Sequence, residues 1–282
     1  MINEVIGLLM RLYRHTPLHS EKAGKVLARI LDLVMPANKN QKKIKEIDGV
    51  LFELDLNQVI DSSLYYSGTF EEQVERLIIS TIKPGMVAID VGANIGYHTF
   101  RMARLVTETG KVYAIEPTRR AYEKLLCNAD LNPKIQNVAY LKLALSDTDA
   151  GLVPVKFESS YRLDNSKDVN TEMVDVLTLD TVVEQEHISH VDFIKIDVDG
   201  FEAKIIKGAH QTLSADHHPI LLMEINPSEI IQNGDGPDEM IDALTKFGYK
   251  FQTEQGRLIP DLKTYCRQTR ELSTMVFGQV FD

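Results

Sequence analysis

Short runs of Val, Ile and Leu alternate along this chain with stretches in which apolar residues recur at steps of three and four. The first pattern predicts buried strands at 87–91, 112–115, 138–143, 193–196, 220–224, 249–253 and 274–280. The second predicts helices between the first five of them, most clearly at 119–131 and 202–213. Strands that are apolar on both faces and separated by helices belong in a mostly parallel sheet with helices packed on either side. The last two strands are joined by about 20 residues without a convincing helix, which predicts an antiparallel end to the sheet. The expected fold class is α/β: a doubly wound, mostly parallel seven-stranded sheet with an antiparallel last strand. Residues 151–178 look like an extra hairpin with a polar loop, inserted before the fourth strand.

Upstream the texture differs. Residues 49–56 alternate apolar and polar as a half-buried strand does, and residues 62–68 carry turn chemistry around Tyr65 and Tyr66. Residues 71–82 have helical spacing that stops before Pro84 and Gly85. Earlier still, Val5, Leu8, Leu9 and Leu12, and again Val26, Leu27, Ile30, Leu31 and Val34, mark two amphipathic helices, broken by Pro17 and ended by Pro36. A polar, basic stretch follows at 38–45. The expected organisation is a basic N-terminal helical extension (1–47), a strand, turn and helix that cover the functional site (48–84), and a main domain (85–282).

Composition and charge narrow the choices. With 44% hydrophobic and 26% charged residues the chain can bury a core, which excludes wholesale disorder. It has 31 Lys and Arg against 41 Asp and Glu, a net −10. No nucleic acid is expected as partner, because neutralising phosphates takes fields of Lys and Arg. Residues 1–48 hold nine Lys and Arg against five acids, +4, so the remainder carries −14. The extension is expected to be a helical cap; the alternative is a weak contact with an anionic membrane surface through residues 1–47. A homo-oligomer is left open. Cys127 and Cys266 make no disulfide framework, and no apolar run reaches the roughly 18 residues of a membrane span, so a cytoplasmic location is expected.

Parallel sheets bind ligands outside the carboxyl ends of their strands, and the unusual residues of this chain are set there. After the first strand come Asp90, Gly92, Ala93, Asn94, Gly96, Tyr97 and His98, a glycine-bearing turn into a helix whose free N–H groups suit a carboxylate or phosphate. The second strand ends in Glu116 and Pro117, and a carboxylate there has two oxygens for the hydroxyls of a ribose. The third runs into Ser146 and Asp147, a polar pair suited to an adenine amino group. The fourth ends in Lys195-Ile196-Asp197-Val198-Asp199-Gly200-Phe201-Glu202, and the fifth in Glu224-Ile225-Asn226. Helix capping accounts for Asp199 or Glu202. Asp197 and Glu224 lie within apolar strands, where an unpaired carboxylate is costly. Acid-ended strands and a glycine turn together predict a nucleoside site.

Taken in order, Asp90-x-Gly-Ala-Asn-x-Gly, Glu116-Pro117, Ala144-Leu145-Ser146-Asp147 and Lys195-Ile196-Asp197-x-Asp-Gly-x-Glu202 resemble the motifs of the FkbM family of S-adenosylmethionine-dependent methyltransferases. The similarity runs over roughly residues 48–250, with Asp199 where the family more often has Glu. It implies a class I methyltransferase Rossmann-like fold and S-adenosyl-L-methionine as cofactor. By the same resemblance Asp90 to Gly96 wrap the methionine part, with Tyr97 and His98 near its carboxylate. Glu116 holds the ribose, Ser146 and Asp147 the adenine edge, and Asp197 lies close to the transferring methyl. The acceptor must lose a proton, and Asp197, Asp199, Glu224 and His98 are the candidate bases. Asp197, Glu224 and Asn226 have the oxygens of a magnesium site, but no metal is expected. The chain lacks an Asn/Asp-Pro-Pro-aromatic turn after the fourth strand, so O-methylation is expected, and the resemblance implies as acceptor a hydroxyl of a sugar, glycolipid or polyketide-like metabolite. Segments 151–178 and 49–70 are expected to wall the acceptor. The competing readings are an NAD-type dinucleotide-binding oxidoreductase and a catalytically silent scaffold of methyltransferase fold. His187, His190, His217 and His218 are expected at the amino ends of strands, as surface or turn residues.

Overall fold

The computed structural model describes residues 42–159, 168–268 and 274–280. The two helices expected within 1–47, and the polar loop at 160–167, lie outside the described residues. The described residues begin with β1 (Lys42–Ile47), β2 (Val50–Asp55), α1 (Val59–Ser67), α2 (Glu72–Thr81), β3 (Val87–Val91), α3 (Tyr97–Val106), β4 (Lys111–Ile115) and α4 (Arg119–Leu131). They continue with β5 (Val138–Leu141), β6 (Leu143–Leu145), β7 (Gly151–Ser159), β8 (Asp168–Leu177), α5 (Leu179–Gln185), β9 (Phe193–Ile196), α6 (Glu202–Lys207) and α7 (His210–Ser214). They close with β10 (Ile220–Ile225), α8 (Pro227–Gln232), α9 (Pro237–Lys246), β11 (Tyr249–Thr253), β12 (Leu258–Ile259), α10 (Leu262–Gln268) and β13 (Thr274–Val280). The described residues fall into two units: one of 42–72, 127–132, 156–159 and 168–171, the other of 73–126, 133–155, 172–268 and 274–280.

In the larger unit eight strands form one sheet, in the order β12-β11-β13-β10-β9-β3-β4-β5. The run from β10 to β5 is parallel throughout, and β13 lies antiparallel between β10 and β11. This is the expected Rossmann-like sheet of seven strands, with the two-residue β12 as an eighth. Every residue of β9 is buried, and Ile89, Ile194, Ile196, Leu221, Met223 and Ile225 share one core, which is why the central strands read as unbroken apolar runs. From β3 the chain moves outward through β4 and β5 and returns on the other side at β9. The carboxyl ends of β3 and β9 therefore flank the topological switch point, where open α/β sheets bind ligands.

Three stretches of this unit depart from the sequence pattern. Residues 138–143 divide, because β6 leaves the large sheet for a three-stranded one, β6-β8-β7, where Leu143 and Leu145 pair in parallel with Asp175 and Leu177. The predicted helix at 202–213 divides at Gly208, whose Cα lies so close to the Ser146 carbonyl that a Cβ would come within 2.1 Å of its oxygen. Between β11 and β13, where no helix was expected, α10 forms. Asp261 caps it, accepting from Thr264 N at 3.2 Å and from the Thr264 hydroxyl at 2.6 Å, and Leu262 and Cys266 bury one face.

In the smaller unit β1 and β2 pair antiparallel, from Lys42 opposite Asp55 to Ile47 opposite Val50. Asp48 and Gly49, at φ 49° and 75°, close a two-residue turn of the kind that matches strand twist. The end of the basic stretch, expected as part of a helical extension, is thus strand from Lys42 on. Residues 62–68, expected as a turn, lie mostly in helix α1. Asp61, Ser62, Ser63 and Leu64 are all buried, and the Ser62 hydroxyl donates to the Leu56 carbonyl at 2.6 Å. Lys45 Nζ donates to the carbonyls of Leu64 and Tyr65 at 3.0 and 2.6 Å, satisfying the last turn. Burial and these bonds outweigh the turn preference of the serines.

The free edge of β2 is satisfied by Asn128 of α4 and by Asn132, just after it. Asn128 Oδ1 accepts from Glu53 N at 2.8 Å, Asn132 Oδ1 accepts from Leu51 N at 2.9 Å, and Asn132 Nδ2 donates to Leu51 O at 2.7 Å. Asn132→Ala is expected to strand both polar groups of Leu51 and to cost about 2 kcal/mol or more. A urea titration should show a lower midpoint with an unchanged slope.

Candidate active site

Strand register places four ionisable side chains in a row. Asp90 of β3 is the direct partner of Lys195 of β9, and Met223 of β10 is the partner of Ile196, so Glu224 comes next to Asp197. Side chains along a strand alternate with period two, and Asp90, Lys195, Asp197 and Glu224 therefore share one face near the carboxyl ends. Asp90 and Lys195 are each 1% exposed. Lys195 Nζ donates to Asp197 Oδ2 at 2.8 Å and lies 3.7 Å from Asp90 Oδ1. Asp90 Oδ2 accepts from the Thr99 hydroxyl of α3 at 2.6 Å, whereas its buried Oδ1 accepts no hydrogen bond within the protein. Burial pushes the Asp197 carboxyl up, but the Lys195 ammonium, a hydrogen bond with Glu224 and the charge of His98 outweigh it and hold the group below the usual carboxylate range. A hydrogen bond between two carboxyl groups needs one proton between them.

The glycine turn presses directly on this row. Gly92 has φ 81°, and a Cβ on it would stand 2.0 Å from the carbonyl oxygen of Asp197. Only glycine allows both the conformation and the approach. The amides of Gly92 and Ala93 both donate to Ile115 O at 3.0 Å, tying the turn to the end of β4. Asn94, at φ 50°, donates its amide to Glu116 Oε2 at 3.0 Å. Glu116 Oε1 accepts from the amide and hydroxyl of Thr118 at 3.0 and 2.6 Å. Burial raises the pKa of Glu116, the bonds from Thr118 and Asn94 work against that, and the charge of Asp90 adds to the rise. A carboxylate has about four acceptor positions. Three are taken, so Glu116 has room for about one further donor, where the sequence suggested two ribose hydroxyls. Pro117, half-buried, follows it.

Gly96 opens α3, and Tyr97 and His98 of its first turn are buried. The Tyr97 hydroxyl donates to Glu75 of α2, and Arg101 Nη2 donates to the Tyr97 oxygen at 3.1 Å and lies 3.5 Å from Glu75. The polar end of Tyr97 is thus turned toward α2, while its ring meets His98 edge-on at 5.0 Å between centroids. Glu75 and Arg101 carry no signal in the sequence pattern, and Lys195 is legible there only as part of the motif at the end of the fourth strand, without a role. Tyr97 and Arg101 stand at i, i+4 on one helix, and Lys195 is a lone cation inside an apolar strand.

The remaining predicted residues divide. Asp199 is exposed at φ 49°, and its carbonyl accepts from Asn233 Nδ2 at 3.3 Å. Asn226 caps α8 by accepting from Glu229 N at 3.3 Å. Glu202 is fully buried; its Oε1 accepts from Gly200 N at 3.1 Å and its Oε2 has no partner. Burial, with smaller contributions from Asp197 and Asp199, pushes Glu202 up to about 7. Ser146 and Asp147 follow β6, and the Ser146 hydroxyl donates to Asp147 at 3.1 Å. Asp147 lines an open cleft of about 780 Å³ with Thr178, Asp180, His187, His190 and His217. Asp90, Glu116, Asp197 and Glu224 are not among the residues lining that cleft. His190 and His217 both meet Asp192, at 3.3 and 2.7 Å, at the amino ends of β9 and β10. Among the described residues no group of three or more His, Cys, Asp or Glu is placed to hold a metal ion.

The Methyltransferase FkbM domain matches residues 90–251, more than half of the chain and a span that holds the turn, Glu116 and the whole ionic row. The chain belongs to the FkbM methyltransferase family. That membership implies S-adenosylmethionine as the methyl donor. The hexuronic acid methyltransferase AglP of Haloferax volcanii is 26% identical over 166 residues, 57% of this chain and 66% of AglP, so the match spans just under two thirds of that relative. Among solved structures, the methyltransferase FkbM from Methylobacillus flagellatus KT is 14% identical with a TM-score of 0.43, over 77% of this chain and 52% of that one. Fibrillarin from Aeropyrum pernix, in complex with natively bound S-adenosyl-L-methionine, is 15% identical with a TM-score of 0.43, over 88% and 86% of the two chains. No helix among the described residues is long and apolar enough to cross a membrane.

Two predictions follow from this geometry. Gly92→Ala should destabilise the protein by at least about 2 kcal/mol more than Gly234→Ala, because Gly234 has a similar φ of 85° with open space around it; thermal midpoints of the pair check this. Glu202 titrates at 4.5 when unfolded and at about 7 when folded. The folded protein keeps a proton that the unfolded chain has released, so stability present below pH 4.5 is lost as pH rises to about 7, by roughly 3 kcal/mol. Glu202→Gln keeps the acceptor for Gly200 and should match wild type near pH 5 but melt higher at pH 8.

Proposed function

We propose that this family member transfers a methyl group from S-adenosylmethionine to a hydroxyl of a sugar, glycolipid or polyketide-like acceptor. The observation that carries the reading is the turn Asp90 to Gly96 packed on the carboxyl ends of β3 and β9, beside a row of acids. Its groups fit the cofactor. Asp90 offers a buried oxygen without a hydrogen bond, Gly92 leaves no side chain over the turn, and Glu116 has one acceptor position to spare. When bound, the cofactor supplies a methyl group activated by a sulfonium.

In this reading Asp90, Gly92, Ala93, Asn94 and Gly96 hold the methionine part, Glu116 and Pro117 the ribose side, and Asp197 the charge near the sulfonium. A general base works best with a pKa near the working pH. Asp197, held low by Lys195, is a weak base, so the acceptor's proton is assigned to Glu224 or His98, each acting from its unprotonated form, with Asp199 the exposed alternative. The residues also orient the two reactants, which is most of what an in-line displacement asks of a protein. Ser146 and Asp147 are assigned the adenine edge on family resemblance, although the cleft that Asp147 lines does not include Glu116. The name of AglP supports a sugar acid as acceptor class.

Incubation with S-adenosylmethionine carrying a ¹³C-methyl group and a panel of uronic and neutral sugars should give an O–CH₃ resonance in one class of product. Transfer to nitrogen, or tighter binding of NAD than of S-adenosylhomocysteine, would overturn the proposal. Glu116→Ala is expected to weaken S-adenosylhomocysteine at least about tenfold in calorimetry, with an unchanged circular dichroism spectrum.

A further inference from the structure

A lysine is an unexpected neighbour for a sulfonium, since both are cations. Yet Lys195 is buried in the middle of the acid row, 2.8 Å from Asp197 and 3.7 Å from Asp90. We propose that Lys195 is a positioning residue for methyl transfer: its ammonium joins the carboxylates at the ends of β3 and β9 and sets the charge that the methyl donor meets. The inference rests on the methyl-transfer reading above and adds a residue and a role to it.

The charge count makes the case. Asp90, Lys195 and Asp197 together carry one net negative charge, which a sulfonium would neutralise. Two bare carboxylates in the same place would repel each other, and one of them would take up a proton. The surrounding groups press the same way. On β10 Glu224 hydrogen-bonds Asp197, on α3 His98 acts on Asp197, on β4 Glu116 feels the charge of Asp90, and on α6 Glu202 feels that of Asp197. Among the described residues Lys195 is the cation in contact with both Asp90 and Asp197, and of the groups that lower the Asp197 pKa that ammonium comes first.

Geometry says the same. Lys195 and Asp90 are direct cross-strand partners, and the Asp197 carbonyl is the atom on which Gly92 rests. An ammonium bound to the Asp197 side chain therefore steadies the residue against which the cofactor turn is built. Burying an ammonium is tolerable only with its partners in place, so the three groups form one unit.

The test is proton linkage. In the wild-type protein the Lys195 ammonium already holds Asp197 ionised, so S-adenosylmethionine should release less proton on binding than in a variant without that ammonium. In Lys195→Met the Asp90 and Asp197 carboxyls lose the ammonium between them, their hold on a proton rises, and binding of the sulfonium should drive more proton into the buffer than in wild type. Calorimetry at pH 7 in phosphate and in Tris, whose ionisation enthalpies differ, reads this as a buffer-dependent heat. S-adenosylhomocysteine, a neutral thioether, should show no such heat with either protein, and Lys195→Arg should behave as wild type. Equal loss of affinity for both ligands in Lys195→Met, without the added proton release, would mean a merely structural lysine and overturn the proposal. If Lys195→Met does not fold, Asp197→Asn serves. It leaves the trio neutral, and the ratio of S-adenosylmethionine to S-adenosylhomocysteine affinity should fall on the order of tenfold; an unchanged ratio overturns the proposal. A wild-type protein that binds neither ligand fails at the first step and removes the methyl-transfer reading itself, whereas failure in the variants alone removes only the role of Lys195.

Discussion

The carbonyl of Asp197 and the α-carbon of Gly92 stand so close that no side chain fits between them, and much of the site follows from that approach. It holds the end of β9 against the turn that leaves β3. It also sets where Asn94 delivers its amide, and hence where Glu116 is held. Just beneath, the ammonium of Lys195 lies against carboxylates from both strands. A buried ammonium is stable only with such partners, and the partners are stable together only with the ammonium. Sheet register sets Asp90 opposite Lys195, and Asp197 follows the last residue of β9 directly.

The acids around this point are alike in type and unlike in state. Asp197 is held low by Lys195, Glu116 is raised by burial, and Glu202 is pushed up to about 7 by deeper burial without an opposing cation. Environments that push the titrations of neighbouring groups apart are how one site separates charge holding from proton handling. The sequence shows five acids at successive strand ends; it does not show that they divide in this way, because the division depends on which of them a single lysine touches.

Legibility followed burial. β3, β9, β11 and β13 were readable to the residue, since strands covered on both faces must be continuous apolar runs or, nearer the edge, clear alternations. The turns around Ser62 and Gly208 were misread for the opposite reason. Ser62 and Ser63 look like turn residues, but tertiary contacts bury them in α1. Gly208 looks like a tolerable interior glycine, but a distant carbonyl occupies the space of its side chain. Helix α10 was missed because it is short and depends on a cap at Asp261 more than on periodicity.

By itself the sequence determined the parallel sheet, the position of the glycine turn, the acids at the strand ends and, through their order, the family. Those features are local: a period of two or of three to four, or a motif along a few residues. Only the tertiary structure decided that Lys195 neutralises part of the acid row and that Tyr97 turns its hydroxyl to Glu75. It also decided that Glu116 has already spent most of its acceptor capacity, and that Asp147 lines a cleft to which Glu116 does not belong. Each of these depends on which groups from different strands and helices come within about 3 Å of one another, and sequence separation carries no record of that distance.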